Sequence, residues 1–191
     1  MTLQTFLSLD LELNQPSGRI IEVGVCIGSI DQDEKDYLVR NWYLDPSEGI
    51  SEFITGLTGI SDETIRDKSV PLGDMARDLS ALIREHDPFV NPVTWGGGDS
   101  SELLKELALA DINFPHFGRR WVDVKTLHVF QQIAQGKAFS GGLRSAMTAH
   151  KLSFVGTPHR AGHDAYNTLR LFFTMMRKQQ QIYQAIQALK Q

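Results

Sequence analysis

Two carboxylates stand two positions apart near the N-terminus of the chain, inside an otherwise apolar run. Asp10 and Glu12 flank Leu11 within the segment 6–13. In a β-strand, residues two apart point to the same side of the sheet, so these two carboxylates would project together. Like charges so placed repel each other and lose hydration, and a divalent cation such as Mg²⁺ or Mn²⁺ would compensate them, because it prefers oxygen ligands. A solvated acidic face on an edge strand is the alternative interpretation at this point.

A third carboxylate, Asp99, follows three consecutive glycines at 96–98. Asp is a favoured helix N-cap, and Glu102 three residues later gives a capping-box pattern for a helix over 100–110. A turn from a strand into a helix also lies at the mouth of a sheet. The sequence therefore predicts that Asp99 caps a helix, and it leaves open whether the same carboxylate binds a metal.

The segment 159–165 contains a fourth carboxylate beside a histidine. Asp164 has apolar residues seven and eight positions later, so it lies on or near a helix face that must pack. A carboxylate on such a face needs a partner. Small residues at Ala161 and Gly162 would let this helix approach a sheet closely. His159 would lie at the start of the helix, from where an imidazole can extend over a cleft.

Histidine pairs allow a different kind of metal site. His159 and His163 stand at i and i+4, a spacing that zinc ligands can use on one helix face. The chain has no HExxH motif and one cysteine, so nothing in the sequence completes a zinc site, and structural zinc is disfavoured. The other histidines have no chemical partners in the sequence and are interpreted as structural or surface residues. They are His86, His116, His128 and His150.

Composition excludes several classes of protein. The 191 residues, 41% hydrophobic and 22% charged, suit one globular domain, predicted over 1–191 with a helical extension over 179–191. We expect no signal segment and no membrane partner, since no apolar run has the length of a bilayer. The single Cys26 excludes an internal disulfide and favours a reducing, cytoplasmic location. A net charge of −4 argues against a protein that coats long nucleic acids.

Patterns of apolar and turn-forming residues predict a mixed α/β architecture. Strands are predicted over 3–13, 20–27, 35–44, 89–95 and 121–124. Helices are predicted over two short stretches within 51–68, and over 71–85, 100–110, about 124–135, 143–150, 159–178 and 179–191, with a loop over 136–142. The first three strands follow one another with short turns, which predicts an antiparallel meander at one side of a mixed sheet.

The order of these motifs resembles a known family, and the resemblance covers the chain from about Phe6 to Leu171. The family is that of the DEDDh 3′→5′ exonucleases. The motifs that resemble it are Asp10-x-Glu12, Asp99 about ninety residues later, and His159-x-Ala161-x-x-Asp164 before the last helix.

Finer features resemble one branch of that family, the Eri-type exonucleases that trim the 3′ ends of small and ribosomal RNA. Gly98 departs from the pattern of that branch, which often has an aromatic residue just before the second Asp. The matching features are Phe53 with Leu57-Thr58-Gly59-Ile60-Ser61, Thr94-Trp95-Gly96-x-x-Asp99, and His159-Arg160-Ala161 with Asp164-Ala165-Tyr166-Asn167-Thr168.

The resemblance implies an RNase H-like α/β fold with a central mixed five-stranded sheet, flanked by helices, whose first three strands are antiparallel. It implies an exonuclease that releases nucleoside 5′-monophosphates from single-stranded RNA or DNA 3′ ends. Asp10, Glu12, Asp99 and Asp164 would hold two Mg²⁺ or Mn²⁺ ions per active site, and His159 would be the general base that takes a proton from the attacking water.

The resemblance also implies which residues contact the substrate. The backbone of Leu11 and Leu13 could contact the terminal 3′-OH, and the side chains of three further residues could form platforms for bases, although core packing is an open alternative for each of them. These are Phe53, Leu57 and Trp95, and two motif neighbours, Thr58 and Arg160, are expected at the substrate as well. A modest phosphate rim could consist of Arg119, Arg120, Lys125, Lys137, Arg144 and Arg160, with solvated surface as the commoner meaning of such residues.

Two other functions stay open at this level. One is a proofreading subunit beside a polymerase, for which the Gln-rich segment 179–191 would be the docking element. The other is a non-catalytic nucleic-acid-binding module, which is disfavoured because all four acids and the histidine are present. The sequence also leaves open a homodimer.

Overall fold

The computed structural model describes residues 4–138 and 141–190 of the chain. Its centre is a five-stranded mixed sheet. The strands are β1 (Thr5–Leu13), β2 (Ile20–Ser29), β3 (Leu38–Tyr43), β4 (Val93–Thr94) and β5 (Val122–Asp123). Their spatial order is β3-β2-β1-β4-β5, with β1, β2 and β3 antiparallel and β4 and β5 parallel to β1. The predicted meander and mixed sheet are therefore confirmed.

Seven α-helices and a short 3₁₀ helix flank this sheet within the described ranges. They are α1 (Glu52–Thr58), α2 (Asp62–Lys68), α3 (Leu72–His86), α4 (Gly98–Leu109), α5 (Val124–Ala134), α6 (Leu143–Ala149) and α7 (Ala161–Ala188), with the 3₁₀ helix at Glu34–Asp36. No helix in the described part of the chain is both long and apolar enough to cross a bilayer.

Alternation along β1 sends its side chains into two different layers. Leu7, Leu9 and Leu11 are buried in a cluster with residues of α3 and α4. Phe6 points to the opposite side and packs edge-on against Phe172 of α7, with ring centroids 5.2 Å apart. By the same alternation, the carboxylates at positions 10 and 12 lie on the α7 side of the sheet.

The N-terminus of α7 lies directly on β2, and glycine makes this approach possible. A Cβ atom at Gly24 would lie 2.1 Å from the backbone carbon of Ala161, and one at Gly162 would lie 2.0 Å from the Asn41 side chain. Gly24 is also the partner of Asp10 in the antiparallel register. The small residues at the start of α7 thus bring this helix beside the acidic positions of β1, as predicted from the sequence.

Three strands are shorter than predicted, for local reasons. The first residues of predicted strand 35–44 belong to the 3₁₀ helix, which Asp33 caps by accepting from Lys35 N–H at 3.1 Å. The predicted strand 89–95 is reduced to two residues after Pro92, which lacks a backbone donor. The strand predicted over 121–124 ends at Asp123, because this residue caps α5.

The C-terminal helix continues as predicted. Residues 161–188 form one helix, which agrees with the expectation that the segment 179–191 extends the helix over 159–178. His159 lies before the helix and not in its first turn. The beginning of the predicted first strand, positions 139 and 140 of the predicted loop, and the final residue of the predicted extension lie outside the described residues.

Candidate active site

A cleft of about 540 Å³ opens at the end of β1 where the acidic residues lie. Its lining includes several of the positions singled out from the sequence, from β1, from the end of β4 and from the segment that leads into α7. The lining residues are Asp10, Leu11, Glu12, Trp95, Gly142, Leu143, Arg144, Phe154, Pro158, His159 and Asp164. Residues far apart in sequence therefore share one concave surface, and they are acidic on one side of it.

Three of these side chains are close enough to bind one ion. Ligand atoms of Glu12, His159 and Asp164 all lie within 4.8 Å of one another. Glu12 is buried, Asp164 is half-buried and His159 is exposed. Carboxylate oxygens dominate this donor set, and Asp10 adds a further carboxylate to the same cleft. Hard divalent cations such as Mg²⁺ and Mn²⁺ fit such a set well.

The two β1 carboxylates are held where their charged forms are unfavourable. Burial raises the pKa of Asp10 well above its usual value, and the charges of Asp99, Asp164 and Glu12 raise it further. Burial likewise raises the pKa of Glu12 to about 8, and the charges of Asp164 and Glu22 add to this effect. Within the described chain, neither carboxylate accepts a hydrogen bond. A bound cation would offset the cost of ionising both groups.

Asp99 lies beside this group but not as the predicted N-cap. Helix α4 begins at Gly98 with Gly97 as its N-cap, and no side chain caps it, so Asp99 is the second helical residue and the predicted capping box with Glu102 is wrong. Burial raises the pKa of Asp99 to about 6, while hydrogen bonds from the backbone N–H groups of Asp99 itself and of Leu11 lower it. Its carboxylate therefore lies against β1 instead of capping the helix terminus.

His159 and Asp164 are joined by a backbone contact. The His159 N–H donates to Asp164 Oδ2 at 2.8 Å, and His159 has a φ of +60°, in the left-handed region. Burial raises the pKa of Asp164, and this hydrogen bond lowers it in part. The backbone conformation thus leaves the imidazole exposed at the rim of the cleft, five residues before the carboxylate that its own N–H contacts.

A set of buried polar contacts fixes the segment that contains His159. Asn167, fully buried on α7, donates from Nδ2 to Val155 O at 2.8 Å and accepts at Oδ1 from Val155 N–H at 3.1 Å. Arg170 donates from Nη1 to Ser153 O at 2.8 Å. Asn167 was noted in the sequence only as part of the motif 164–168, and Arg170 was not singled out, although a polar pair on the buried face of a long helix was a signal that such contacts exist.

Glu22 is the buried acid that sequence reasoning missed. It is fully buried on β2 and accepts hydrogen bonds from Arg160 Nε at 3.2 Å, from Arg160 Nη2 at 3.0 Å and from Ala161 N–H at 3.0 Å. Arg160 also bonds the Tyr43 hydroxyl. These contacts anchor the start of α7. A glutamate inside an otherwise apolar strand was the available signal, because a buried charge requires a partner.

The expected substrate residues are divided between the cleft and its surroundings. Leu11 and Trp95 line the cleft. Phe53 and Leu57 are 71% and 41% exposed on α1, which Asn14 connects to the end of β1 through bonds to Gly49 O and from Ser51 N–H.

The remaining expected substrate residues have contacts within the fold. Leu13 packs partly buried against the α3 side of the core. Thr58 is 4% exposed, and its hydroxyl donates to Ile54 O and accepts from Ile60 N–H. The Arg160 guanidinium is engaged by Glu22 and Tyr43, as described above. Among the residues described, these three do not line the cleft.

Two histidines interpreted as lacking chemical partners are in fact partners of each other. His128 Nδ1 and His150 Nε2 lie 3.2 Å apart, and both residues are 6% exposed. Lys178 Nζ lies 3.1 Å from His150 Nδ1. Burial lowers the pKa of His150 to about 4, and the charge of Lys178 lowers it further. This neutral pair holds α5 and α6 together behind Trp95, whose ring centroid lies 6.1 Å from that of His128.

Comparison with known proteins identifies the fold. No protein-family model matches the sequence, and no curated protein matches it. Among solved structures, the nuclease domain of 3′hExo, a DEDDh family member bound to rAMP, has a TM-score of 0.75 at 16% identity, over 93% of this chain and 94% of that domain.

Two larger nucleases match as well. Cell-death related nuclease 4 (CRN-4) has a TM-score of 0.78 at 16% identity, over 92% of this chain and 64% of its own. E. coli exonuclease I in complex with a dA16 oligonucleotide has a TM-score of 0.71 at 15% identity, over 95% of this chain and 42% of its own. The chain thus spans less than two thirds of these two proteins. It has the RNase H-like fold of the DEDDh exonucleases.

Proposed function

We propose that this protein is a metal-dependent 3′→5′ exonuclease of the DEDDh type that acts on single-stranded RNA or DNA 3′ ends. The observation that supports this most strongly is the convergence of Asp10, Glu12, Asp164 and His159 on one cleft, with Asp99 beside it. A fold shared with 3′-exonucleases supports the same conclusion. The product is a nucleoside 5′-monophosphate.

Asp10, Glu12, Asp99 and Asp164 hold two Mg²⁺ or Mn²⁺ ions, which supply Lewis-acid stabilisation of the phosphate charge and a more acidic water. The pattern of raised pKa values supports this assignment, because each of the four carboxyl groups is costly to ionise without a cation.

His159 accepts the proton of the attacking water. Its exposure at the cleft rim lets the imidazole exchange that proton with solvent. The bond from its own N–H to Asp164 keeps the histidine segment beside the carboxylates. Asn167 and Arg170 bond the carbonyl oxygens of Val155 and Ser153 from α7, which anchors the chain that leads to His159 before substrate binds.

The terminal nucleotide lies between the end of β1 and α1. The backbone of Leu11, which lines the cleft, contacts the 3′-OH, and Trp95, Phe53 and Leu57 provide surfaces for the base. The exposure of Phe53 and Leu57, four residues apart on α1, favours this use over core packing. Thr58 and Arg160 support it indirectly, since one is bonded within α1 and the other anchors α7. The solved neighbours include a complex with rAMP and one with dA16, which is consistent with either type of strand.

The test is hydrolysis of a 5′-labelled single strand with Mg²⁺ or Mn²⁺. We expect shortening of the strand from its 3′ end in the wild type and no detectable shortening with Asp10→Ala. Glu106→Gln is a matched control, because Glu106 is also a largely buried acid but is paired with Arg19 away from the cleft. An Asp10→Ala variant as active as wild type would refute the proposal. Comparing the rates of hydrolysis of RNA and DNA strands of the same sequence shows whether the enzyme prefers ribose or deoxyribose.

A separate measurement tests the role of His159. His159→Ala should lose most turnover and keep metal binding, since a base is not a ligand. The ligand atoms of His159 lie within 4.8 Å of those of Glu12 and Asp164, so a ligand role is the specific competitor. Calorimetry of Mn²⁺ binding separates the two, and a collapse of affinity in His159→Ala would assign the histidine to the metal.

A polymerase-bound subunit, a homodimer and a cytoplasmic location stay predictions from the sequence. The relevant surface for the first two is the C-terminal part of α7, where Ile182, Tyr183, Ile186 and Leu189 are between 47% and 88% exposed. Sedimentation of the purified chain measures self-association, and copurification measures association with a polymerase. Strand binding without turnover in any metal would favour the non-catalytic binding module instead.

A further inference from the structure

A second depression adjoins the acidic cleft along α6. We call it the α6 groove, and its volume is about 400 Å³. Arg144 and Phe154 line both the cleft and the groove, so the two depressions are continuous across these side chains. The groove is lined by Arg144, Thr148, Lys151, Leu152, Ser153 and Phe154.

The two depressions have opposite charge. Asp10, Glu12 and Asp164 line the cleft, whereas the lining of the α6 groove contains two basic residues and no acid. Arg144 and Lys151 are both exposed, and neither forms a salt bridge within the described ranges. Of the basic residues proposed from the sequence as a phosphate rim, Arg144 is the one that lines the cleft.

Phe154 provides an aromatic surface at the junction. It is half-buried and packs on one side against the core cluster that contains Leu143 and Met147 of α6. Its ring is therefore held in place while another part of it borders the cleft and the groove. A fixed aromatic ring beside basic side chains is the arrangement that binds single strands without regard to sequence, through base stacking and phosphate contacts.

We propose that the α6 groove binds the strand upstream of the scissile phosphate. Arg144 and Lys151 contact backbone phosphates, and Phe154 stacks on a base as the strand leaves the cleft. This inference rests on the proposed exonuclease function and deepens it, because it defines the substrate as a single strand long enough to occupy the groove. A mononucleotide ester uses the cleft alone.

Binding tests the groove without dependence on turnover. A fluorescently labelled single-stranded oligonucleotide is titrated in EDTA and followed by anisotropy over a range of salt concentrations. For the double variant Arg144→Ala/Lys151→Ala, we expect the slope of log affinity against log salt to become shallower by about 1.4, about 0.7 for each phosphate that is no longer neutralised. Phe154→Leu, which keeps an apolar side chain against the core, should weaken binding by about five-fold to a hundred-fold.

Arg40→Ala/Arg84→Ala and Phe130→Leu are the matched controls, since these exposed residues do not line the cleft or the groove. They should leave slope and affinity unchanged. Equal effects of the groove and control variants, or no effect of either, would overturn the proposal.

Turnover separates this inference from the function on which it rests. Lys151 lines the groove but not the cleft. We therefore expect Lys151→Ala to raise KM for the oligonucleotide and to leave hydrolysis of the p-nitrophenyl ester of thymidine 5′-monophosphate unchanged. A wild-type protein that binds the strand through the groove and hydrolyses neither substrate would refute the exonuclease and retain the groove. A Lys151→Ala variant that loses activity on both substrates equally would refute the groove and retain the exonuclease.

Discussion

Glu12 and Glu22 face each other across the β1–β2 pair, but only one of the two carboxylates has a positively charged hydrogen-bond partner. The two residues are direct partners in the antiparallel register, and both are buried. Glu22 accepts three hydrogen bonds from Arg160 and the start of α7. Glu12 accepts none within the described chain, and its pKa is raised to about 8, with burial as the largest cause. One carboxylate is paired within the protein, and the other has no hydrogen-bond donor among the described residues.

This contrast separates structural from functional acids in the same sheet. The paired acid fixes the helix that supplies Asp164 and the segment that supplies His159. The unpaired acid lies in the cleft with Asp10 and Asp164, where a bound cation would stabilise its charge, as proposed above. Buried charges are ordinarily paired, so a cluster of unpaired carboxylates is evidence for a cation-binding site.

Removing the partner of Glu22 should have the largest effect on stability. In Arg160→Met, the fully buried Glu22 loses its guanidinium, and we expect the free energy of unfolding to fall by about 4 kcal/mol. Urea denaturation in EDTA measures this change. A decrease in the free energy of unfolding of less than about 1 kcal/mol would show that the buried Glu22 carboxylate does not need the Arg160 guanidinium for stability.

Removing the charge of Glu12 should raise the free energy of unfolding of the metal-free protein, whereas Arg160→Met should lower it. The pKa of Glu12 rises from 4.5 in the unfolded chain to about 8 in the fold, so the folded protein binds the proton more tightly. The stability from this protonation is fully present below pH 4.5 and is lost as the pH rises through 8. We therefore expect Glu12→Gln to stabilise the metal-free protein by about 3 kcal/mol at pH 7 and to flatten this pH dependence. A lower free energy of unfolding for Glu12→Gln than for the wild type in EDTA would contradict the conclusion that the Glu12 charge is unpaired.

The buried His128 and His150 are a third case, in which two neutral side chains form a hydrogen bond with each other. The pKa of His150 falls from 6.5 to about 4 on folding, so its contribution is present above pH 6.5 and is lost as the pH falls towards 4. Because the raised carboxyl groups titrate in the same pH range with the opposite sign, the contribution of His150 is measured as the difference in free energy of unfolding between the wild type and His150→Gln in EDTA. We expect this difference to change by about 2 kcal/mol, to the disadvantage of the wild type, between about pH 7 and about pH 4.5. The difference between the wild type and His116→Gln should show no such change. The same pH dependence for both variants would exclude His150 as the cause.

Arg19 and Glu106 form a more exposed version of the Glu22 pair. Arg19 Nε lies 2.8 Å from Glu106 Oε1, but the arginine side chain is 45% exposed. Solvent replaces the lost partner more easily there, so Arg19→Met should cost less than about 1 kcal/mol in the same urea experiment. A loss as large as that of Arg160→Met would show that burial does not set the difference.

The sequence predicted the parts of this arrangement that follow from local pattern. Alternation along β1 placed Asp10 and Glu12 on one face, and small residues predicted the close approach of α7. Local pattern could not predict the register of the strands or the contacts between residues far apart in the chain. Glu22 and Arg160 are 138 positions apart, and their pairing depends on where α7 crosses β2.

The errors have physical causes of the same kind. Asp99 has the residue type of an N-cap, but α4 begins one residue before it, at Gly98, so its side chain does not cap the helix. His128 and His150 had no visible partner because α5 and α6 meet only in the folded chain. Strand β4 is short because Pro92 and the turn after Thr94 limit the pairing, which propensity alone overestimates.

The most direct test of the central claim is calorimetric titration of Mn²⁺ into the wild type, Asp10→Asn and Glu106→Gln. The unpaired carboxylates should bind two Mn²⁺ per chain in the wild type and in Glu106→Gln, whereas Asp10→Asn should lose at least one of the two. Equal binding in all three proteins, or no binding in the wild type, would contradict the assignment of the unpaired acids to metal.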